Sequence, residues 1–139
     1  MAAVGIFLKG NFAHIVTLEG TRDSHDYVNK EFCKLELGKN PTQKDVIVLT
    51  GLLTKHIEKH NVTQLVLNRR VTAGQMAGAA GTFIWEGILL TMSPVPLKFV
   101  HVATIRATDK KCVELKTKRP PEENVALNKA YDFAFEGLK

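Results

Sequence analysis

Val62-Thr63-Gln64-Leu65-Val66-Leu67 is a compact run rich in β-branched and aliphatic residues, the pattern of a strand buried on both faces. A helix leads into it. Thr42 can cap that helix, the stripe Val46, Leu49, Leu53, Ile57 recurs at helical spacing with Leu52 beside it, and the end falls near His60-Asn61. A helix feeding a doubly buried strand reads as a crossover into a sheet, which sets the chain in the α/β class.

Toward the N-terminus, Val4 to Leu8 is short and apolar, Gly10-Asn11 has the chemistry of a tight turn, and Phe12 to Leu18 resumes as a second strand, so a hairpin opens the chain. Gly20 to Asn29 is polar enough to be a loop. Phe32 to Leu37 then alternates Cys33, Leu35 and Leu37 with Lys34 and Glu36, as a half-exposed strand does. Toward the C-terminus, Arg70 to Gly81 is rich in Gly and Ala, and Phe83 to Met92 is an apolar helix that stops before Ser93-Pro94-Val95-Pro96. Leu97 to Val102 makes a last strand. Pro120-Pro121-Glu122-Glu123 opens a final helix with the stripe Leu127, Ala130, Tyr131, Ala134, Leu138. The order β-β-β-α-β-α-β-α predicts a mixed five-stranded sheet, a three-strand meander followed by alternating helix and strand, flanked by helices in a single domain over residues 1–139.

With 139 residues and 45% apolar content the chain can build one real core. No stretch approaches the roughly 18 consecutive apolar residues a membrane span needs, and Lys9 interrupts any signal-type apolar run, so a cytoplasmic protein with no membrane partner is expected. Cys33 and Cys112 show no Cys-x-x-Cys spacing, which argues for reduced thiols rather than a zinc or redox motif. Without a secretory signal, Asn61-Val62-Thr63 is a coincidental glycosylation pattern. The net charge of +5 is concentrated: Lys98 to Arg119 holds seven basic residues and two acids and so accounts for the whole excess. Such a stretch either follows a phosphate backbone or is a solvated surface loop.

Three stretches carry a family resemblance: Gly5-Ile6-Phe7-Leu8-Lys9-Gly10-Asn11, Leu65-Val66-Leu67-Asn68-Arg69-Arg70, and Thr72-Ala73-Gly74-Gln75-Met76-Ala77-Gly78 ahead of Phe83-Ile84-Trp85-Glu86. Over roughly the first 105 residues the chain resembles a small bacterial family of unknown function, itself similar to the ribonuclease-H-like superfamily and, within it, to the Holliday-junction resolvases. The resemblance implies a ribonuclease-H-like fold. In active members of that superfamily an acid on the first strand and another at the end of the fourth hold divalent metal over the scissile phosphate, because Mg²⁺ takes hard oxygen ligands. Here the first position is Phe7 and the second Asn68, and no Asp or Glu lies between Met1 and Glu19. The carboxylates that hydrolysis needs are therefore missing.

Other constellations are less specific. Glu86 beside Trp85 is either a polar group facing the cleft at the strand ends or an exposed helix acid. Gly74, Gly78 and Gly81 either cradle a phosphate with bare backbone or mark a closely packed loop, and no nucleotide P-loop pattern is present. His56 and His60 have the four-residue spacing at which two imidazoles can share a metal, but a third ligand is not evident and Glu58 is misplaced for a His-Glu-x-x-His site. His101 near Thr104 is either at the cleft or a satisfied strand-end histidine. No nucleophile sits in a hydrolase context such as Gly-x-Ser-x-Gly, and the few aromatics are not interleaved with basic residues along the chain, so no single-strand stacking platform is indicated.

The resulting expectation is a non-catalytic binding or interaction domain without catalytic residues, metal site or cofactor. Its ligand contacts would come from Lys9, Asn11, Asn68, Arg69, Thr72 and Glu86 at the strand ends, with Lys110 and Lys111 in the basic stretch. The partner would be nucleic acid, through residues 98–119. One alternative is a divergent nuclease on structured nucleic acid that rebuilds a Mg²⁺ cage from Glu86 or Asp132. The other is a self-associating module, a homodimer paired through an unprotected meander edge.

Overall fold

The computed structural model describes residues 1–68 and 80–139. In chain order its elements are β1 (Ala2–Lys9), β2 (Phe12–Gly20), β3 (His25–Val28), β4 (Lys34–Glu36), α1 (Gln43–Lys59), β5 (Val62–Asn68), α2 (Ala80–Met92), β6 (Leu97–Val100), α3 (Val102–Cys112) and α4 (Val125–Glu136), with a 3₁₀ turn over Val113–Leu115. The main path of the sheet runs β3-β2-β1-β5-β6, and β4 pairs with β2 beyond the stretch that β3 occupies. β1 and β2 are antiparallel, whereas β1, β5 and β6 are parallel, so the sheet is mixed as expected.

The hairpin register is set by its turn. Gly10 takes a φ of 58°, which a glycine adopts without strain, and Lys9 then faces Phe12 across a two-residue connection. Side-chain alternation divides β1 between two cores. Ala2, Val4, Ile6 and Leu8 join Leu65 and Leu67 beneath Leu53 and Ile57 of α1 and Trp85 and Leu89 of α2. On the other face Ala3, Val16 and Leu18 lie beneath Ala130, Tyr131, Ala134 and Phe135 of α4. α4 comes so close that a Cβ at Gly5 would run into the Ala130 carbonyl and the Ala134 amide. Thr42 caps α1 in a reciprocal box, its hydroxyl accepting from the Asp45 amide while the Asp45 carboxylate accepts from its own.

Several local expectations change. The polar segment Gly20 to Asn29 contains β3, which pairs through Thr17 to Gly20 of β2 and gains from the sheet what its composition lacks. The strand expected from Phe32 shrinks to Lys34–Glu36. The last strand ends at Val100 rather than Val102, because the chain turns straight into α3, a helix the sequence reading missed within the basic stretch. Ile105 packs against Val66, Val100 and Phe133, and Thr108 is buried, so tertiary contact supports a segment with only a thin apolar stripe. The final helix begins at Val125 with Asn124 as its cap rather than at the prolines. Cys33 and Cys112 are free thiols. Among the described residues, no helix is long and apolar enough to cross a membrane.

Candidate functional site

The parallel strands β1, β5 and β6 deliver Lys9, Asn68 and Val100 to one end of the sheet, beside the Gly10-Asn11 turn. Ile6 and Leu67 are the last paired residues of β1 and β5, so Phe7 and Asn68 follow them on neighbouring strands. Both then point to the α4 face, like Gly5 and Val66 two positions earlier. Phe7 is the first-strand residue that the sequence resemblance sets at the position of an acid. Its ring centroid lies 6.3 Å from that of Phe133 and 6.3 Å from that of His14, and the Lys129 ammonium sits 4.8 Å over it. Asn68 Oδ1 is buried and has no hydrogen-bond partner among the described residues.

These groups do not fit a divalent cation. A phenyl ring offers no ligand, an amide offers one neutral oxygen, and the adjacent ammonium repels a second cation. Among the described residues, no group of three or more His, Cys, Asp or Glu side chains could hold a metal ion. Asp132, a candidate for rebuilding such a cage, is instead 2.7 Å from the buried Lys116 amine and 2.9 Å from Arg119.

The hairpin carries further functional groups that the sequence reading missed. Cross-strand pairing sets His14 opposite Phe7 and Lys34 opposite His14, while Phe12 stands opposite Lys9. Lys34 Nζ lies 4.3 Å over the Phe12 ring, whose centroid is 6.2 Å from that of His14. Burial, and then the charges of Lys34 and Lys9, hold the His14 pKa below the ordinary imidazole value, favouring a neutral ring. Aromatic and basic side chains that are not interleaved along the chain are therefore interleaved in space. The two-residue turn was the available signal, because it fixes which residues face each other across the hairpin.

The expected contact residues are only partly brought together. Lys9, Asn11 and Asn68 share the strand-end region, whereas Arg69 and Thr72 lie outside the described residues, as do Gly74 and Gly78. The Asn11 carbonyl is already engaged, accepting from Trp85 Nε1 at 2.8 Å and from the Leu37 amide at 2.8 Å. Gly81 lies in the first turn of α2 against Gly10 and Asn11, leaving no room for a Cβ, which accounts for a glycine there without a phosphate. Glu86 is half-buried on α2, the helix that covers the opposite face of the sheet from α4. Lys110 and Lys111 are exposed in the last turn of α3, about 12 Å along its axis from its start at 1.5 Å per residue.

The basic stretch is not uniformly a solvated surface. The Lys116 side chain is fully buried between Asp109 and Asp132, Arg119 pairs with Asp132, and Lys98 donates to the Glu136 carbonyl. Of the histidine pair, His56 is committed to the core. Asn29 Nδ2 donates to His56 Nδ1 at 3.2 Å, which leaves Nε2–H to donate to Thr17 Oγ1 at 2.7 Å. Phe32 stacks on this imidazole at 4.2 Å, and burial together with His60 and Lys59 lowers its pKa to about 4. With both nitrogens engaged, His56 has no lone pair to share with a metal. His101, which caps α3 without a side-chain bond, is exposed.

A family model described as a protein of unknown function, DUF3010, matches residues 1–137. The chain belongs to the DUF3010 family. No curated protein matches this DUF3010 chain in sequence. Among solved structures it is similar to Thermus thermophilus RuvC, with a TM-score of 0.67 at 12% identity, over 97% of this chain and 92% of that one. T. thermophilus RuvC in complex with a Holliday junction substrate is similar at a TM-score of 0.67 and 12% identity, over 99% of this chain and 94% of the other. At that identity the likeness shows a shared RuvC-like, ribonuclease-H-like fold and nothing further.

Proposed function

We propose that this DUF3010 protein is a non-catalytic ribonuclease-H-like domain that binds nucleic acid at the strand ends without cutting it. The observation that carries this reading is the setting of Phe7, the residue that the sequence resemblance sets at the first-strand position of the acid: its ring lies against Phe133 with the Lys129 ammonium over it. Asn68 beside it supplies no negative charge. Hydrolysis through metal needs converging carboxylates, and a hydrocarbon next to an ammonium supplies the opposite electrostatics. The ligand class is supported by the lysines around the strand ends and by the fold shared with a protein solved on a Holliday junction.

The test is calorimetric titration with Mg²⁺ or Mn²⁺ at low salt, with and without a branched DNA, followed by a cleavage assay on the same mixtures. The expected result is DNA binding that weakens steeply with salt, with no cleavage in either metal. Metal-dependent cleavage by the purified protein would overturn the non-catalytic reading. Absence of DNA binding would remove nucleic acid as the ligand.

A further inference from the structure

We propose that Phe7, Phe12 and His14, together with Lys9, Lys34 and Lys129, form a stacking surface for single-stranded nucleic acid. This deepens the non-catalytic binding reading above, and rests on it for the ligand class.

The geometry comes from strand pairing. Lys9 faces Phe12, Phe7 faces His14, and His14 faces Lys34, so five of the six side chains stand on one face of three adjacent strands. Lys129 reaches the same face from α4, above Phe7. Phe7, Phe12 and His14 are each only half-buried, while Lys9, Lys34 and Lys129 are exposed. The facing carboxylate is Glu36, opposite Phe12, which leaves the three ammonium groups in excess. A neutral His14 offers a ring face rather than another charge.

Two lysines now lie over aromatic faces, Lys34 on Phe12 and Lys129 on Phe7. Such cation–π contacts at exposed sites hold weakly, and both partners are groups that a nucleotide uses. Phosphates would draw the ammonium groups off the rings, and bases would take the ring faces they leave. A duplex hides its base faces inside its own stack, so rings of this kind select for an unpaired strand.

The experiment is fluorescence anisotropy with a labelled oligothymidylate and a duplex of equal length, at low and raised salt, using the full chain. The expected result is tighter binding of the single strand than of the duplex. Phe12→Leu, which keeps an apolar side chain but no ring, should weaken binding by about tenfold, in line with one lost stack, and Phe12→Trp should restore it. Lys34→Ala should weaken binding and flatten its salt dependence, whereas Lys55→Ala, on the opposite face of the sheet, should leave it within about twofold. Equal or tighter duplex binding, no binding of the oligothymidylate, or affinity unchanged in both Phe12→Leu and Lys34→Ala would each overturn the assignment. Cleavage of bound strand in Mn²⁺ that leaves the variant pattern intact would sink only the non-catalytic reading.

Discussion

Lys116 Nζ lies 2.7 Å from Asp132 Oδ1, with no side-chain surface of the lysine exposed to solvent. The same amine is 2.6 Å from Asp109 of α3, and Asp132 lies on α4, so one buried charge ties the two helices together. Removing one partner of a buried pair leaves the other desolvated and unpaired. Asp132→Ala should therefore destabilise by about 2–4 kcal/mol, reduced from the fully buried case because Asp109 remains and is partly exposed. Lys116→Met should cost less, because Asp132 keeps Arg119 and Asp109 keeps its solvent. Urea unfolding followed by circular dichroism ranks the two variants, and the reverse order would refute this account of the clamp.

Gly5 and Gly51 should respond oppositely to alanine. At Gly5 the new Cβ meets the backbone of α4 at Ala130 and Ala134, so the helix must shift, at a cost of about 2–4 kcal/mol. At Gly51, inside α1, nothing lies within 4 Å of the added Cβ, and Gly51→Ala should gain about 0.5–1 kcal/mol from reduced unfolded-state entropy. Thermal melts of the two variants read this difference directly.

His56 predicts a pH dependence of stability. Its folded pKa of about 4 is depressed below the ordinary 6.5, so between these values the unfolded chain binds more protons than the folded one. The stabilisation is complete above about pH 6.5, falls as the pH is lowered toward 4, and changes no further once both states are protonated. The loss is on the order of 1–3 kcal/mol. In denaturant titrations across this window, His56→Gln should lose that part of the slope; an unchanged slope would show that other groups carry it.

Trp85 reports on the hairpin turn, since its Nε1 donates to the Asn11 carbonyl while its ring is 1% exposed. It is the chain's one tryptophan. Native emission should be blue-shifted and should move red in a single step on unfolding. Trp85→Phe keeps most of the apolar contact but leaves that carbonyl with only the Leu37 amide, at a cost of about 1 kcal/mol. A native spectrum already at the solvent-exposed maximum would contradict the burial.

The elements legible in the sequence were those whose periodicity is local. Val46, Leu49, Leu53 and Ile57 mark one face of α1, and its Thr42 cap was identified by residue. The Gly10-Asn11 turn and the run from Val62 to Leu67 were equally legible. At the candidate site, that Phe7 and Asn68 carry no carboxylate is legible because residue identity is visible in one dimension. β3 and α3 were not legible: the first has a polar composition and exists through its pairing with β2, and the second rests chiefly on Ile105 and Thr108 against the rest of the fold.

Residue order by itself determined the α/β class, the opening hairpin, the helix-to-strand crossover and the absence of a carboxylate at Phe7 and Asn68, since alternation, caps and residue identity act within a few positions. Only the tertiary structure decided that Lys116 is a buried clamp rather than a surface cation, that His56 is a hydrogen-bonded core ring, and that Lys34 and Lys129 join the rings of Phe12 and Phe7. These pairings connect distant parts of the chain. They depend on strand register and helix docking, which bring charge and aromatic faces together only after the sheet has closed.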